Sequence, residues 1–372
     1  MSDSRPGVFF LSDQLESPPQ LGFQIHLLEL IRAVAARVPT RGFCWTSAPP
    51  APGDGLVALD PAAAPSGRLA RKWHYLEHAF EHIDREGTPG SVAWVRSYST
   101  ALLALPGLRW RRRAGIRTVY DASSLERLEV QEGPGRFAAI LRGIVLENLY
   151  PHFDVVRTLN DPMRDYLVRL GIPAERIIVI PVGAEPQAER WRLRDEPRRL
   201  LYVGSTSAWQ GLPTLIEAMR ILEQRAPQVT LSMAGPSRDD LAELALPANV
   251  RALGHVPHAG IGRVYLEHDL FVVPRPRSVV SETVTPMKVV EAMAYGMPIL
   301  AMDLGAIRWA TGADGAFLHR EDGPEALAAA IEEAISDPGA LVATGARAFE
   351  RSARFSWDEI GRSVARELFG DR

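Results

Sequence analysis

At 372 residues the chain is long enough for two domains with separate hydrophobic cores. A hydrophobic content of 46%, a charged content of 23% and a formal net charge of -3 are those of an ordinary globular protein, and they argue against nucleic acid as a partner. The single cysteine, Cys44, excludes an intrachain disulfide and a cysteine-rich metal site. The start of the chain resembles no signal peptide, and no apolar run reaches the roughly 18 residues of a membrane span, so we expect a cytoplasmic protein.

Strand-like and helix-like segments alternate through the first half of the chain, which is typical of a doubly wound α/β domain. Some strands are apolar on both faces, so we expect a parallel sheet covered by helices on both sides. The predicted strands are 8–11, 91–95, 117–120, 153–157 and 177–180, the predicted helices are 24–37, 69–83, 137–150 and 160–170, and the segment 48–66, rich in proline, alanine and glycine, predicts an irregular connection.

The same alternation starts again after a charged segment without clear periodicity, 187–199, which we interpret as a linker. The predicted strands are then 200–203, 229–234, 250–253, 270–273 and 299–302, and the predicted helices are 212–226, 286–295, 324–335, 341–354 and 355–368. We therefore predict an α/β protein with two Rossmann-like doubly wound domains, 1–186 and 187–355, and a C-terminal helix, 356–372, that returns to the first domain.

One stretch, 269–305, has the strongest functional pattern: a buried strand, a polar loop, a helix and a second buried strand. Thr285 is the predicted N-cap of this helix, Pro286 suits its first position, and Gly296 followed by Pro298 predicts its end. In open α/β sheets, ligands bind where such a loop leaves a strand and enters a helix. The helix N-terminus is therefore a candidate anion site.

Two charged side chains sharpen this hypothesis. Lys288 lies in the first helical turn, where the helix dipole disfavours a cation by about 0.3–1 kcal/mol, so an anion such as phosphate would explain it. The alternative is an exposed lysine that extends into solvent. Glu291 is flanked by apolar residues and needs a partner, either ribose hydroxyls or an arginine.

A glycine-bearing loop in the same half is a second candidate phosphate contact. It follows the strand 200–203 and runs from Gly204 to Gly211, where it enters the next helix. The two glycines allow close approach of the backbone, and the amides and hydroxyls between them suit phosphate.

The first half offers candidate binding residues at the ends of its strands and one basic cluster. Gly22 and His26 lie near the start of the first helix, Arg96 follows the strand 91–95, and Asp121 and Ser123 follow another strand. The basic cluster Arg109–Arg113 includes Trp110, which favours either an anionic membrane surface or a solvated helix end.

The second half resembles the family 4-like retaining glycosyltransferases, which have the B-type architecture of two facing Rossmann-like domains with a deep cleft between them. The motif VTPMKVVEAMAYGMPIL, 284–300, carries most of the resemblance, and Tyr202-Val203-Gly204, Gly211 to Ala218 and Ala234-Gly235 add to it. The resemblance implies transfer of a sugar from a nucleoside-diphosphate donor to an acceptor hydroxyl with retention, without a metal or other cofactor. It places the donor on the second domain and the acceptor on the first.

By position, the resemblance also implies roles for individual residues. Lys288, Glu282 and Asp121 are the implied catalytic residues, the last as a base. The acceptor would contact Gly22, His26, Arg96, Asp121 and Ser123. The donor would contact Gly204, Ser205, Thr206, Gln210, Gly211, Gly235, Arg275, Thr283, Thr285, Pro286, Met287, Lys288 and Glu291.

Several positions depart from the family pattern. Ser205 and Gln210 stand where many relatives have an arginine and a lysine, so Lys288, the helix terminus and Arg275 would have to stabilise the leaving diphosphate. The first glutamate of the usual pair is off register, because strict spacing puts Thr283 there and Glu282 one residue earlier. Ser123 stands where relatives often have a histidine.

Two alternatives remain open, a non-catalytic nucleotide-sugar-binding subunit and a sugar-nucleotide epimerase of the same architecture. The acceptor also stays open among a carbohydrate, a lipid-linked and a small-molecule acceptor. Glycan, polysaccharide, glycolipid and glycosylated natural-product biosynthesis are all compatible with the sequence. A membrane-bound acceptor would fit a protein that is peripheral at the inner face of a membrane.

Overall fold

The computed structural model of the chain describes residues 5–19, 22–123 and 148–370. They form two compact units, which we describe separately. Unit 1 contains the described residues up to Gly183 and those from Trp357 onward, and unit 2 is Ala184–Ser356. Each unit is built around its own parallel β-sheet.

Unit 1 contains a seven-stranded sheet in which every neighbouring pair is parallel. The strand order is β3-β2-β1-β4-β5-β6-β7. The strands are β1 (Val8–Leu11), β2 (Thr40–Trp45), β3 (Leu56–Leu59), β4 (Val92–Arg96), β5 (Arg117–Asp121), β6 (Val155–Thr158) and β7 (Ile177–Val179), and the described α-helices are α1 (Gly22–Ala35), α2 (Arg68–Glu86), α3 (Tyr98–Arg112) and α4 (Asp161–Arg169), besides the C-terminal helix.

The C-terminal helix, Trp357–Phe369, completes the core of unit 1 by packing on α1. Its apolar side chains Ile360, Val364 and Leu368 are buried with those of α1. Gly361 allows the two helices to approach closely, because a Cβ there would overlap the carbonyl oxygen of Ala33.

Unit 2 contains a six-stranded parallel sheet with the order β10-β9-β8-β11-β12-β13. Its strands are β8 (Arg199–Val203), β9 (Thr230–Ala234), β10 (Val250–Gly254), β11 (Leu270–Val273), β12 (Ile299–Met302) and β13 (Phe317–His319), and its helices are α5 (Leu212–Arg225), α6 (His258–Glu267), α7 (Val279–Thr283), α8 (Met287–Tyr295), α9 (Gly305–Thr311), α10 (Pro324–Ser336) and α11 (Pro338–Ser352).

Both sheets reverse their direction of growth at one point, between β1 and β4 in unit 1 and between β8 and β11 in unit 2. The loops that leave two such strands diverge to opposite sides of the sheet and leave a crevice at its carboxyl edge, where ligands bind in open α/β sheets. The predicted class, a pair of doubly wound α/β domains, is confirmed, and these two edges are where functional side chains are to be sought.

The structure differs from the predicted elements in several places, including α9 and β13, which were not predicted. Strand β2 was not predicted, because its sequence TRGFCW contains an arginine and a glycine, and β3 was not predicted because it lies inside the proline-rich segment 48–66. Helix α6 was also not predicted, and α7 interrupts the predicted polar loop after β11. Helix α8 begins at Met287 with Pro286 as its N-cap, so the predicted cap at Thr285 is wrong, whereas the predicted end at Gly296 is confirmed by its left-handed conformation. The predicted helix 137–150 falls mainly outside the described residues.

Candidate functional site

The loops after β8 and β11 contact each other at the carboxyl edge of unit 2. Gly211 has a φ of 74°, and a Cβ there would overlap the carbonyl oxygen of Pro274. Next to this contact the buried Arg275 donates from Nε to Oε1 of Gln210 at 3.3 Å, and its guanidinium lies 4.2 Å from the ring centre of Trp209. The side chain of Arg275 therefore reaches the loop in which the two family cations are missing.

The loop after β9 joins the same arrangement. Gly235 has a φ of 118°, and a Cβ there would overlap the carbonyl oxygen of Gly204. The hydroxyl of Tyr202 donates to the carbonyl oxygen of Ser205 at 2.7 Å, and burial raises the pKa of Tyr202, so this donor stays protonated. Ser205 and Thr206 remain exposed beside these backbone contacts.

Lys288 and Glu291 form an ion pair on the first turns of α8. The Lys288 ammonium lies 2.9 Å from Oε1 and 2.8 Å from Oε2 of Glu291. Their side chains are 28% and 20% exposed, so a ligand can reach both. The buried Tyr265 hydroxyl lies 3.4 Å from the same carboxylate. Lys288 is one of only two lysines in the chain, with Lys72, so its position is not the result of a lysine-rich surface.

The ion pair differs from both non-functional arrangements that the sequence allowed for these two residues. Lys288 is not simply extended into solvent, and the cation that contacts Glu291 is not an arginine. Because Glu291 follows Lys288 by three positions, the two side chains lie on one face of the helix.

Other residues predicted for this edge, the catalytic candidate Glu282 and the donor-binding candidates Thr283 and Thr285, are partly used in local structure. The Glu282 carboxylate accepts from the backbone N–H of Gly305 at 2.6 Å and forms an ion pair with Arg277. The Thr283 hydroxyl donates to the carbonyl oxygen of Val279 at 2.6 Å, and Thr285 is buried. Glu282 thus contacts the N-terminus of α9, where a carboxylate is stabilising.

In unit 1 a buried row of charges crosses three neighbouring strands. Arg96 of β4, Asp121 of β5 and Arg157 of β6 are paired in register. Arg157 donates from Nη1 to Oδ1 of Asp121 at 2.7 Å, both side chains being fully buried, and Trp94 donates to the other carboxylate oxygen at 3.3 Å. Burial alone would raise the pKa of Asp121, but Arg157 and Arg96 hold it below its ordinary value, so the carboxylate is ionised and a poor base.

His26 lies beside this row, near the start of α1. Its Nε2 accepts from the backbone N–H of Gly183 at 3.2 Å, and its ring centre lies 5.1 Å from that of Trp357. Burial, together with Arg96 and Arg157, places the pKa of His26 well below its ordinary value. The ring is therefore neutral, and since Nε2 accepts, Nδ1 carries the proton.

The other two predicted residues of unit 1 lie at the start of α1 and after β5 rather than in the row of charges. Gly22 is the exposed first residue of α1, and Ser123 lies two residues beyond Asp121 and is partly buried.

The basic cluster Arg109–Arg113 is partly neutralised within unit 1. Arg111 is buried against the ring of Phe80 and ion-paired with Asp84, and Arg112 is ion-paired with Asp154. Trp110 is 61% exposed. Contact of this cluster with a membrane stays a prediction.

Two residues of this arrangement, Arg157 and Tyr265, were not predicted as functional. Arg157 was placed in a strand but not recognised as functional, although an arginine that directly follows the apolar Val155 and Val156 within a strand is a signal that a buried partner exists. Tyr265 lies on α6, which was not predicted. Within the described part of the chain, no group of three or more histidine, cysteine, aspartate or glutamate side chains is placed to hold a metal ion, and no helix is long and apolar enough to cross a membrane.

Two Rossmann-like units with candidate sites at their switch points define the class of the B-type glycosyltransferase fold. Comparison with known proteins agrees with this class. The family model "Glycosyl transferase 4-like domain" matches residues 22–183, and "Glycosyl transferases group 1" matches residues 197–337. The chain belongs to the family 4-like glycosyltransferases, as its second-half motif predicted.

Individual relatives support the fold and the family. The chain is 30% identical over 151 residues to the amylovoran biosynthesis glycosyltransferase AmsK of Erwinia amylovora, which is 38% of this chain and 37% of that protein. Sucrose-phosphate synthase from Thermosynechococcus elongatus superimposes with a TM-score of 0.76 at 20% identity over 97% of this chain and 98% of that one. Anabaena HepE, solved with UDP-glucose, gives 0.73 at 18% identity over 98% and 99%. The chain spans only 37%, 48% and 53% of three curated relatives that it matches.

Proposed function

We propose that this protein transfers a sugar from a nucleoside-diphosphate donor to an acceptor hydroxyl, with retention at the anomeric carbon. The observation that carries the proposal is the accessible Lys288–Glu291 pair at the N-terminal end of α8, beside the switch point of unit 2. Its two opposite charges suit the two ends of one ligand, a diphosphate and a ribose. That HepE, of similar fold, was solved with UDP-glucose agrees with this assignment.

The leaving group is the step for which this edge is best suited. When the bond between the anomeric carbon and the β-phosphate oxygen breaks, negative charge develops on the phosphate. Lys288 releases Glu291 and moves to the phosphate, while the amides at the start of α8, whose first turn has no acidic residue, and Arg275 supply further positive charge. Glu291 then accepts from the ribose hydroxyls. In this way the chain compensates for Ser205 and Gln210.

The acceptor hydroxyl requires no separate carboxylate base in this scheme. In a retaining transfer the new bond to the anomeric carbon forms on the face that the phosphate leaves, so the departing phosphate oxygen lies next to the hydroxyl and takes its proton. Asp121 is unsuited as a base, because Arg157 and Trp94 occupy both of its oxygens. We assign Asp121 to the positioning of the arginines of unit 1, and Glu282 to the junction between α7 and α9.

The test is to incubate the full chain with UDP-, GDP- and dTDP-sugars, each with and without a panel of sugar acceptors and in the presence of EDTA. Nucleotide release that requires an acceptor and persists in EDTA is the expected result. Interconversion of the sugar without release would instead identify an epimerase. A non-catalytic subunit is the further alternative that the missing cations at Ser205 and Gln210 favour. Tight binding of a nucleotide-sugar without turnover across the panel would identify it.

A further inference from the structure

Besides Nε of Arg111, three buried side-chain N–H groups in unit 1 have no hydrogen-bond partner among the described residues, and they belong to neighbouring side chains. These are Nδ1 of His26, Nη1 of Arg96 and Nε of Arg157. His26 is 4% exposed and Arg157 is fully buried. Because Nε2 of His26 accepts from Gly183, its Nδ1 is a donor, so all three unpartnered atoms are donors.

The three side chains are close enough to act on one another. Arg96 and Arg157 both lower the pKa of His26, and Arg157 lowers that of Arg96. The register of β4, β5 and β6 places Arg96 and Arg157 on either side of Asp121. We name His26, Arg96 and Arg157 the N–H triad of unit 1.

The charge of this region does not balance. With His26 neutral, two guanidinium groups face one carboxylate, Asp121, and both oxygens of that carboxylate already accept from Arg157 and Trp94. A buried positive charge without a counter-charge is costly. A water molecule would satisfy the N–H groups but would leave the charge, whereas an anionic oxygen group would satisfy both.

The position of the triad is that of a binding site rather than of a core. It lies at the carboxyl edge of the sheet: Arg96 ends β4, which flanks the switch point, His26 lies on α1, the helix that follows β1 across that point, and Arg157 lies on β6. Arg96 is only partly buried, so its side chain extends from these buried N–H groups to the surface of unit 1. The next residue, Ser97, has a φ of 75°, an unusual conformation for a residue other than glycine, and such strain is concentrated at functional sites.

We infer that the N–H triad binds an anionic group of the sugar acceptor, either a phosphate or a carboxylate. The protein would therefore glycosylate an acidic acceptor in preference to a neutral one. This inference rests on the proposed function, because it takes the ligand of unit 1 to be the acceptor. Guanidinium groups suit both anions, since their fork of N–H donors matches two oxygens.

The experiment is isothermal titration of the full chain with glucose 6-phosphate, glucuronate, glucose and inorganic phosphate. We expect glucose 6-phosphate or glucuronate to bind at least about tenfold more tightly than glucose, as a charge-assisted hydrogen bond provides. The comparison of the two acidic sugars distinguishes phosphate from carboxylate, and inorganic phosphate reports on the anion subsite alone. Equal binding of acidic and neutral sugars, or no binding of any anion, would overturn the inference.

The variant Arg96→Gln tests the site itself without disturbing the Asp121–Arg157 pair. It should weaken binding of the acidic sugar at least about tenfold, whereas the control Arg85→Gln, at an exposed position of α2, should leave it unchanged. Arg96→Lys keeps the charge but loses the paired N–H donors of the guanidinium group, so its affinity for the acidic sugar should be intermediate. It serves as the second variant if Arg96→Gln folds poorly. Unaltered binding by these Arg96 variants would contradict the inference.

Binding of UDP, GDP and dTDP separates this inference from the proposed function. If a nucleotide binds the parent chain and Arg96→Gln equally and no acidic sugar binds, the inference fails and the proposed function stands. If an acidic sugar binds through Arg96 and no nucleotide does, the anion site stands and the proposed donor site fails.

Discussion

The two units have the same kind of sheet but use charge differently at its carboxyl edge. In unit 1 the Arg157–Asp121 pair is fully buried and extends across the strands themselves, whereas in unit 2 the Lys288–Glu291 pair is partly exposed on a helix beyond the strands. Unit 2 brings its loops together through glycines instead, at Gly211 and Gly235. A buried pair makes the fold dependent on its charges, while an exposed pair can exchange its partner for a ligand.

The largest expected effect comes from breaking the buried pair. Arg157→Ala leaves Asp121 charged, buried and unpaired, so the free energy of unfolding of unit 1 should fall by about 3–5 kcal/mol. Chemical denaturation of the parent and variant chains measures this loss. The double variant Asp121→Asn with Arg157→Met, which removes both charges, should recover most of it. A loss below about 1 kcal/mol for Arg157→Ala would show that the pair is not structural.

A smaller but local effect is expected from Gly211→Ala. The new Cβ must occupy a left-handed conformation and overlaps the carbonyl oxygen of Pro274, so unit 2 should lose about 1–3 kcal/mol, and nucleotide affinity should fall as the two loops separate. Gly254→Ala is the matched control, because Gly254 has a φ of 70° but no atom within 4 Å of the added Cβ. If both variants lose the same stability, the contact between Gly211 and Pro274 does not contribute to the stability of unit 2.

For the exposed pair, stability and binding should separate. Lys288→Ala should change the free energy of unfolding by less than about 1 kcal/mol, because a partly exposed ion pair contributes little. It should nevertheless weaken nucleoside-diphosphate binding by about 10- to 100-fold, as loss of a charge-assisted contact does. Titration calorimetry measures the affinity, with Arg263→Ala, at an 84% exposed position of α6, as the control. A large loss of stability in Lys288→Ala with unchanged nucleotide affinity would show that the pair of unit 2 is structural, as the pair of unit 1 is, and does not bind the ligand.

The smallest effect is a pH dependence of stability caused by His26. Its pKa in the folded protein is lowered by burial and by Arg96 and Arg157, so below the unfolded value of about 6.5 the unfolded chain binds the proton more readily. Stability should therefore be complete above that pH and should fall as the pH is lowered, by at most about 1.4 kcal/mol per pH unit.

The variant His26→Asn isolates this contribution. The slope of stability against pH between about 5 and 6.5 should be shallower in His26→Asn than in the parent. Burial also lowers the pKa of His268 and His319, but these residues are common to both proteins, so the difference in slope belongs to His26. Parallel curves would mean that the pKa of His26 is the same in the folded and the unfolded protein, which would contradict the prediction.

The sequence predicts the fold well where a strand is wholly apolar and bounded by turn residues, as at Leu270–Val273. It fails for β3, whose LVAL run lies between prolines and glycines, because such a short strand is stabilised by its pairing with β2 rather than by its own pattern. The motif in 284–300 predicted Lys288 and Glu291 as functional residues, but not that they pair with each other. Partners such as Arg157 for Asp121, 36 residues apart, follow from strand order, which sequence periodicity does not contain.

The most direct test of the account is to observe Lys288 itself during nucleotide binding. The chain has only two lysines, so reductive methylation with 13C-labelled formaldehyde, which retains their charge, gives few NMR signals, and Lys288→Arg assigns them. Lys72, ion-paired with Asp13 at 2.6 Å in unit 1, is the internal control. We expect the nucleoside diphosphate that binds among UDP, GDP and dTDP to shift the Lys288 signal and not that of Lys72. An unmoved Lys288 signal at saturating nucleotide would contradict the account.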